Sequence, residues 1–414
     1  MIEKLTRSLC LALGCVAAFA DAVAADWPQH LGPHRSSVAD ASEAALPDVF
    51  DQDAKPLWKT DLGTGFAGPV VVDGRILVFH REGDEALIDS LDRATGERIW
   101  RYTFETDYVD SFGFDDGPRA VPTVHDDRVI VHGADGRVHA VRLEDGTKIW
   151  SFDTVAEFGS PQGYFGRAGA PLIAGDAVII TAGGTRLGKP AGLVALNITD
   201  GTVKWFGVGD EAGYSAPVLD ELGHIIAWMR NQLWVVDAAT GDVLDSVRFR
   251  SDMDASVNAC TPLVLEGNRV FVSAGYGVGA GLWDVSQDGK LSKVWHREDW
   301  MDCHYGTPVE YEGHLYGFDG RQETGQTLRC VDLESGEVEW NSAKLPGGNL
   351  LRVTDKLVVV TEQGELWIVP ASPERFETIH TQQIFRAGHR SHPAYSDGVL
   401  FARDGEKIVA VKLR

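Results

Sequence analysis

Three long polar connections hold many of the side chains in this sequence that could do chemistry. Residues 103–118 carry Tyr108, Phe112 and Phe114 among Asp107, Asp110, Asp115 and Asp116; residues 155–167 carry Tyr164, Phe165 and Arg167; residues 297–305 carry Trp300, Asp302, His304 and Tyr305. Arg119, Tyr214, Asn258, Asn349, Arg352, His389, Arg390 and His392 stand at or beside the starts of short apolar runs elsewhere. Such residues gathered around one concavity would bind an anionic or polar ligand. The plainer reading is solvation, because strand ends that meet water carry polar residues in any fold.

Conventional catalytic spacings are missing. There is no His-Glu-x-x-His, no Cys-x-x-Cys, no P-loop and no nucleophile elbow. Residues 182–185 and 274–279 are rich in glycine but no helical pattern follows them, so they read as turns or bulges. The acidic stretch 107–116 lacks the Asp-x-Asp-x-Asp-Gly spacing of a calcium loop, and reads as solvated surface. His296, His304 and His314 fall on separate elements, so no zinc triad and no other metal site is assigned.

The elements that must position these residues repeat. Residues 328–340, Leu-Arg-Cys-Val-Asp-Leu-Glu-Ser-Gly-Glu-Val-Glu-Trp, read as strand, tight turn and strand, with a glycine free to take positive φ. Related hairpins end in Trp100, Trp150 and Trp205, another turns at Gly241, and looser copies lie near Trp295, 369–374 and 410–414. The other half of each unit is an apolar strand opening near a proline, a turn, and a second apolar strand, as at Pro69, Pro122, Pro171, Pro217, Pro262, Pro308 and Pro393, with Leu350 in the remaining copy. Residues 55–414 divide into eight units of 45, and roughly 40–45 residues is what a four-stranded propeller blade needs. The expected fold is all-β, an eight-bladed β-propeller of four-stranded antiparallel blades. The last unit lacks a strand, and residues 55–61 around Trp58 resemble an outermost strand with no hairpin before it. That strand is expected to complete the last blade and so remove an open sheet edge.

Residues 1–24 read as a signal peptide, with Lys4 and Arg7 ahead of an apolar run from Leu9 to Ala20 and small residues before Ala25. Leu13-Gly14-Cys15 loosely resembles a lipoprotein acylation site, so lipid anchoring stays open beside simple cleavage. No other segment approaches a transmembrane helix. Residues 25–54 are irregular and rich in breakers, and are expected to run over the outside of the ring. The formal charge of −23 repels phosphate backbones, so nucleic acid is not an expected partner.

Three cysteines follow the leader. Two positions ahead of each proline, or of Leu350, stand Ala67, Ala120, Gly169, Ser215, Cys260, Gly306, Gly348 and Ser391, all small. Cys260 therefore fills a site that demands small volume, Cys330 replaces the alanine of Ala140, Ala195 and Ala410, and Cys303 is left as the exposed thiol.

The pattern Asp-x-x-Thr/Ser-Gly-Glu-x-x-Trp at 92–100 and 332–340 resembles the repeat of the pyrroloquinoline quinone (PQQ)-like β-propeller family over residues 55–414. The tail beyond the leader resembles the short, exported bacterial members. That family includes PQQ-dependent alcohol dehydrogenases and the propeller lipoprotein of the outer-membrane β-barrel assembly machinery. The resemblance implies that Trp100, Trp150, Trp205, Trp295 and Trp340, with Trp58 at the closure, dock one blade on the next. It also implies that a cofactor, where present, lies over the channel. Quinoprotein members carry a calcium ligated by carboxylate and amide side chains, a catalytic Asp and often adjacent cysteines; here no adjacent cysteine pair exists and none of those ligands is matched. The expectation is an exported, monomeric binding or scaffold module for a protein partner of the cell envelope or a small polar ligand at the channel mouth. The alternative is a PQQ- and calcium-dependent quinoprotein oxidising an alcohol or sugar, with a carboxylate as base. A propeller hydrolase is a weaker third reading.

Overall fold

Within each repeat the second and third strands are the most apolar, and they are buried on both faces. Ile76, Leu77, Val78 and Phe79 of one repeat are wholly inaccessible, as are Leu357, Val358 and Val359 of another. Burial on both faces means that each sheet is sandwiched between two others. Outermost strands alternate instead, as Arg98–Glu105 does, because one side meets solvent.

The computed structural model describes residues 25–51, 54–298, 300–387 and 390–414. Eight four-stranded antiparallel sheets follow one another along the chain, in seven of which strands pair in sequence order from innermost to outermost. Blade 1 runs from Val70–Val72 to Arg98–Glu105, blade 2 from Thr123–His125 to Lys148–Asp153, blade 3 from Leu172–Ala174 to Val203–Gly207, and blade 4 from Val218–Leu219 to Val243–Arg248. Blade 5 runs from Leu263–Leu265 to Leu291–Arg297, blade 6 from Val309–Tyr311 to Val338–Asn341, blade 7 from Gly348–Val353 to His380–Gln383, and blade 8 from Ala394–Ser396 to Lys407–Lys412. Blade 8 takes its outermost strand from the other end of the chain: Trp58–Asp61 pairs antiparallel with Lys407–Lys412, Trp58 opposite Ala410. The core is a ring of layers between neighbouring sheets; Leu77 and Phe79 of blade 1, for example, pack with Val129 and Val131 of blade 2.

Blade docking repeats one geometry. The indole N–H groups of Trp58, Trp100 and Trp150 donate to the carbonyls of Arg93, Leu143 and Ile198 in the next blade's outer turn. Those of Trp205, Trp295 and Trp340 donate likewise to Ala238, Leu333 and Ser372. Beneath the rings of Trp58, Trp100, Trp150 and Trp205 lie Gly96, Gly146, Gly201 and Gly241, where an added Cβ would come within 2.7 Å of an indole carbon. Opposite Trp100, Trp150, Trp205 and Trp340 on their own sheets sit Ser90, Ala140, Ala195 and Cys330, each followed by a bulge. The turn aspartates fix the loop: Asp92 Oδ1 accepts from the Ala94 and Thr95 backbone N–H groups, and Asp237 does the same for Ala239 and Thr240.

Residues 26–39 depart from the course expected of the stretch before Trp58. They enter the central channel from the face that carries the outer turns, whereas residues 43–50 lie over blades 8 and 7, where Glu43 accepts from Asp397 N–H, Asp48 pairs with Lys356 and Phe50 stacks on His380. Trp27 pairs with Val71 of blade 1, and Pro28 O accepts from Val124 of blade 2. Arg35 donates to Pro171 O of blade 3 and, at 2.9 Å, to Pro217 O of blade 4. His30 meets Thr261 of blade 5 at 3.2 Å, Ala39 N donates to Arg352 O of blade 7, and Ser37 Oγ lies 3.1 Å from His392 of blade 8. Trp27 and Leu31 are each 1% exposed. A ring of eight sheets leaves a channel its own side chains do not fill, and this segment plugs one end of it. Leu31, Arg35 and Ser37 all hold positive φ, which coils the chain tightly and erases any strand periodicity.

No helix among the described residues is long and apolar enough to cross a membrane. Residues 1–24 lie outside the described residues.

Candidate functional site

Because successive side chains of a strand face opposite ways, the lead into each innermost strand can be read in register. Two positions before the proline the side chain turns toward the next blade: a Cβ on Gly169 would meet Ser215 O, and one on Gly306 would meet Gly348 O, both at 2.9 Å. Residues three before and one before therefore face the channel.

The structure bears this out as a cup. With the N-terminal segment closing one end, the channel becomes a cavity of about 420 Å³ open at the face where the strands begin. Phe66, Arg119, Ala168, Tyr214, Ala259, Tyr305 and Arg390, each three before a proline, line it. Val121, Ala216, Thr307, Asn349 and His392, each one before a proline or Leu350, line it lower down, and His30 of the N-terminal segment reaches the floor.

Aromatic planes dominate one wall. Phe112 lies 5.3 Å from Phe165 and 5.8 Å from Tyr164, and Phe165 is 5.5 Å from Tyr214, whose hydroxyl accepts from the Tyr164 N–H at 2.7 Å. Arg119 lies 5.3 Å over Phe66 and 5.6 Å over Phe165, and ion-pairs with the buried Asp110 at 2.8 Å. Arg390 lies over Phe114 and Tyr305, with its Nε donating to Glu362 at 3.0 Å. The Tyr305 hydroxyl donates to the same carboxylate oxygen; burial, then Glu362, holds its pKa well above the ordinary value. His304 is wedged between Gln322 Oε1 at 2.6 Å and the Tyr276 hydroxyl at 3.1 Å.

The histidines are neutral by environment. Burial brings His392 down to about 4 and lowers His304, while burial, His392 and Arg35 together hold His30 well below its usual value. Arg35, close to His30, is wholly buried and bonded to carbonyls, Gln29 and Thr123. Burial lowers it to about 9, which leaves it charged at neutral pH.

Among the residues read from sequence, Arg119, Tyr164, Tyr214, His304, Tyr305, Asn349, Arg390 and His392 are brought together in the cup. Arg167 and Asn258 are not. Both stand four before a proline, in step with the small residues that turn away, and both are 3% exposed. Asn258 donates instead to Met229 O and Arg230 O, tying down the hairpin of blade 4. Arg352 sits at the far end of its strand, its side chain over Tyr311 and its carbonyl accepting from Ala39. His389 lies outside the described residues. Cys303 also needs correction: it is fully buried, because 300–303 folds inward with Trp300 and Met301 between blades 5 and 6.

Tyr276, Arg321, Gln322 and Glu323 were missed. They lie in connections between second and third strands, which open on the same face as the strand starts; the topology alone would have brought them into consideration.

A calcium ion of the kind quinoprotein members hold does not fit this lining. Glu323 is the one carboxylate among the described lining residues, and it pairs with Arg321 at 2.9 Å. The carboxylates behind the wall, Asp110 and Glu362, are held by Arg119 and Arg390. A group of His314, Asp332 and Glu339 with ligand atoms within 4.8 Å lies on the outer part of blade 6, away from the cup. The cup can hold a flat acidic molecule between its aromatic planes and arginines.

A family model described as outer membrane protein assembly factor BamB matches residues 48–216 and again 165–342. Curated relatives include quinohemoprotein alcohol dehydrogenase ADH-IIG of Pseudomonas putida, 27% identical over 221 residues covering 48% of this chain but 30% of that one. BamB of Moranella endobia is 24% identical over 285 residues, covering 65% and 68%. Among solved structures, BamB from Moraxella catarrhalis aligns with a TM-score of 0.63 at 14% identity, over 86% of this chain and 99% of that one. A europium-containing methanol dehydrogenase aligns with a TM-score of 0.70 at 12% identity, over 94% and 89%. At such identities the structural likeness speaks for the fold. With the repeats, the docking tryptophans and the family match taken together, the chain belongs to the PQQ-like β-propeller family.

Proposed function

We propose that this chain is a binding module of the cell envelope whose cup takes up a small ligand with a flat apolar body and an acid group. The observation that carries the reading is the lining itself: aromatic planes interleaved with Arg119 and Arg390, above the buried cation Arg35. The ion pairs of Arg119 and Arg390 balance their own charges, so Arg35 leaves the floor electropositive and favours an anion. The leader-like residues 1–24 and the likeness to BamB support an envelope location and a protein partner that could supply or receive the ligand.

Titration calorimetry of the purified chain with aromatic carboxylates and their neutral amides tests this. Saturable binding of the acids over the amides is expected; equal or absent binding of both overturns the reading. The same arginine and aromatic walls favour one second reading, a quinoprotein. Titration with PQQ, with and without calcium, followed by a dye-linked alcohol oxidation assay separates the two. Binding without turnover, indifferent to calcium, is expected from the lining; calcium-dependent turnover would replace the binding reading with the enzymatic one.

A further inference from the structure

Two of the three described cysteines are neighbours across a blade boundary. Cys260 stands two before Pro262, the position that faces the next blade. Cys303 lies in that same layer between blades 5 and 6. Cys260 Sγ lies 3.9 Å from Thr307 Oγ1 at the boundary of blades 5 and 6, and the Cys260 side chain is near enough to act on the Cys303 thiol. Cys260 is 1% exposed and Cys303 0%, and both belong to one apolar cluster. Cys303 is also held through its backbone, donating to Ser273 Oγ of blade 5 at 2.9 Å and pairing with Gly320 of blade 6. Both thiols are free in this structure.

We propose that Cys260 and Cys303 form a disulfide when the chain folds in an oxidising compartment, fastening the wall of the cup that carries His304 and Tyr305 to blade 5. One thiolate attacks an external disulfide, that of a thiol–disulfide oxidoreductase or a small-molecule disulfide, and expels one of its sulfurs. The second cysteine then displaces the other half. Two protein thiols lose two electrons and two protons, one S–S bond forms, and the oxidant is reduced to two thiols. The exchange belongs to the folding chain. Once the blades meet, the neighbouring Cys260 and then burial hold the Cys303 thiol well above its ordinary pKa, and no oxidant reaches it. Cys330 serves as an internal control: it is equally buried but lies in a different apolar cluster, opposite Trp340.

The proposal does not depend on what the cup binds. The chain is produced in an oxidising and in a reducing expression compartment, denatured without reductant, alkylated with iodoacetamide, reduced, alkylated with N-ethylmaleimide and mapped by mass spectrometry. From the oxidising compartment, Cys260 and Cys303 are expected to carry the second label and Cys330 the first; from the reducing one, all three carry the first. The oxidised form should melt roughly 5 °C above the reduced form, and Cys303→Ser should melt alike from both. First label on Cys260 and Cys303 after oxidising production, or pairing of either with Cys330, overturns the proposal.

Discussion

Trp100 and Gly146 ought to be energetically inseparable. Trp100 is 9% exposed, its indole donates to Leu143 O at 2.9 Å, and its Cε3 lies 2.5 Å from where a Cβ on Gly146 would stand. Trp100→Ala should cost about 3–5 kcal/mol, as removal of a buried aromatic does. Gly146→Ala carries two penalties: about 1 kcal/mol for a side chain at φ +74, and about 1–3 kcal/mol for driving a methyl into the ring. In the Trp100→Ala background the second penalty vanishes and the first remains. The double-mutant cycle should therefore show a coupling of about 1–3 kcal/mol. Trp100→Phe keeps much of the packing but leaves the Leu143 carbonyl without its buried donor, for a loss of about 1–3 kcal/mol. Urea unfolding of the four proteins of the cycle, followed by far-ultraviolet circular dichroism, gives the numbers. A Gly146→Ala penalty that is the same in both backgrounds within about 0.5 kcal/mol would refute the docking argument.

Three further outcomes are expected. Trp58→Ala should cost about 3 kcal/mol and promote association, because it loosens the strand that covers the Lys407–Lys412 edge; a loss under about 1 kcal/mol in chemical denaturation would mean the ring is not held closed there. Burial lowers His132 to about 3 and His139 and His392 to about 4, against about 6.5 in the unfolded chain. Each is neutral in the fold, so stability is full above pH 6.5 and falls as pH drops toward 4, at about 1.4 kcal/mol per pH unit per histidine. The urea midpoint should fall from pH 7 to pH 5, less steeply in His132→Phe; a midpoint independent of pH would contradict this. Arg390→Gln leaves the Glu362 carboxylate unbalanced beside the cup and should weaken binding of an aromatic carboxylate about tenfold while leaving its amide unaffected, as read by calorimetry; equal loss of both would remove the charge argument.

The blades were legible because their physics is local. Period-two alternation, an aspartate that caps its own turn and a glycine at positive φ each leave a mark within a few residues. Much of the cup was legible for the same reason, since Arg119, Tyr214, Tyr305 and Arg390 share one repeat position and Asn349 and His392 another. Applying that parity strictly would have set aside Arg167 and Asn258. What stayed hidden depends on depth and on distant partners. Nothing local to Cys303 says that its connection dives between two sheets. Tyr276 and Arg321 reach the cup through hairpins whose sequences are ordinary turns. His30 and Arg35 belong to a stretch whose breakers look like surface coil, yet its contacts are spread over seven blades.

That stretch also sets an order of events. Residues 27–39 emerge before any blade is made, yet they bind blades 1 to 5, 7 and 8, and so have nowhere to settle until nearly the whole ring stands. The part of the domain translated first is thereby the part seated last. A chain built this way folds slowly, since its decisive contacts join residues far apart in sequence. Once seated, the segment works as a latch: the ring opens only after it is withdrawn, which lengthens the lifetime of the folded protein beyond what blade-to-blade packing alone would give.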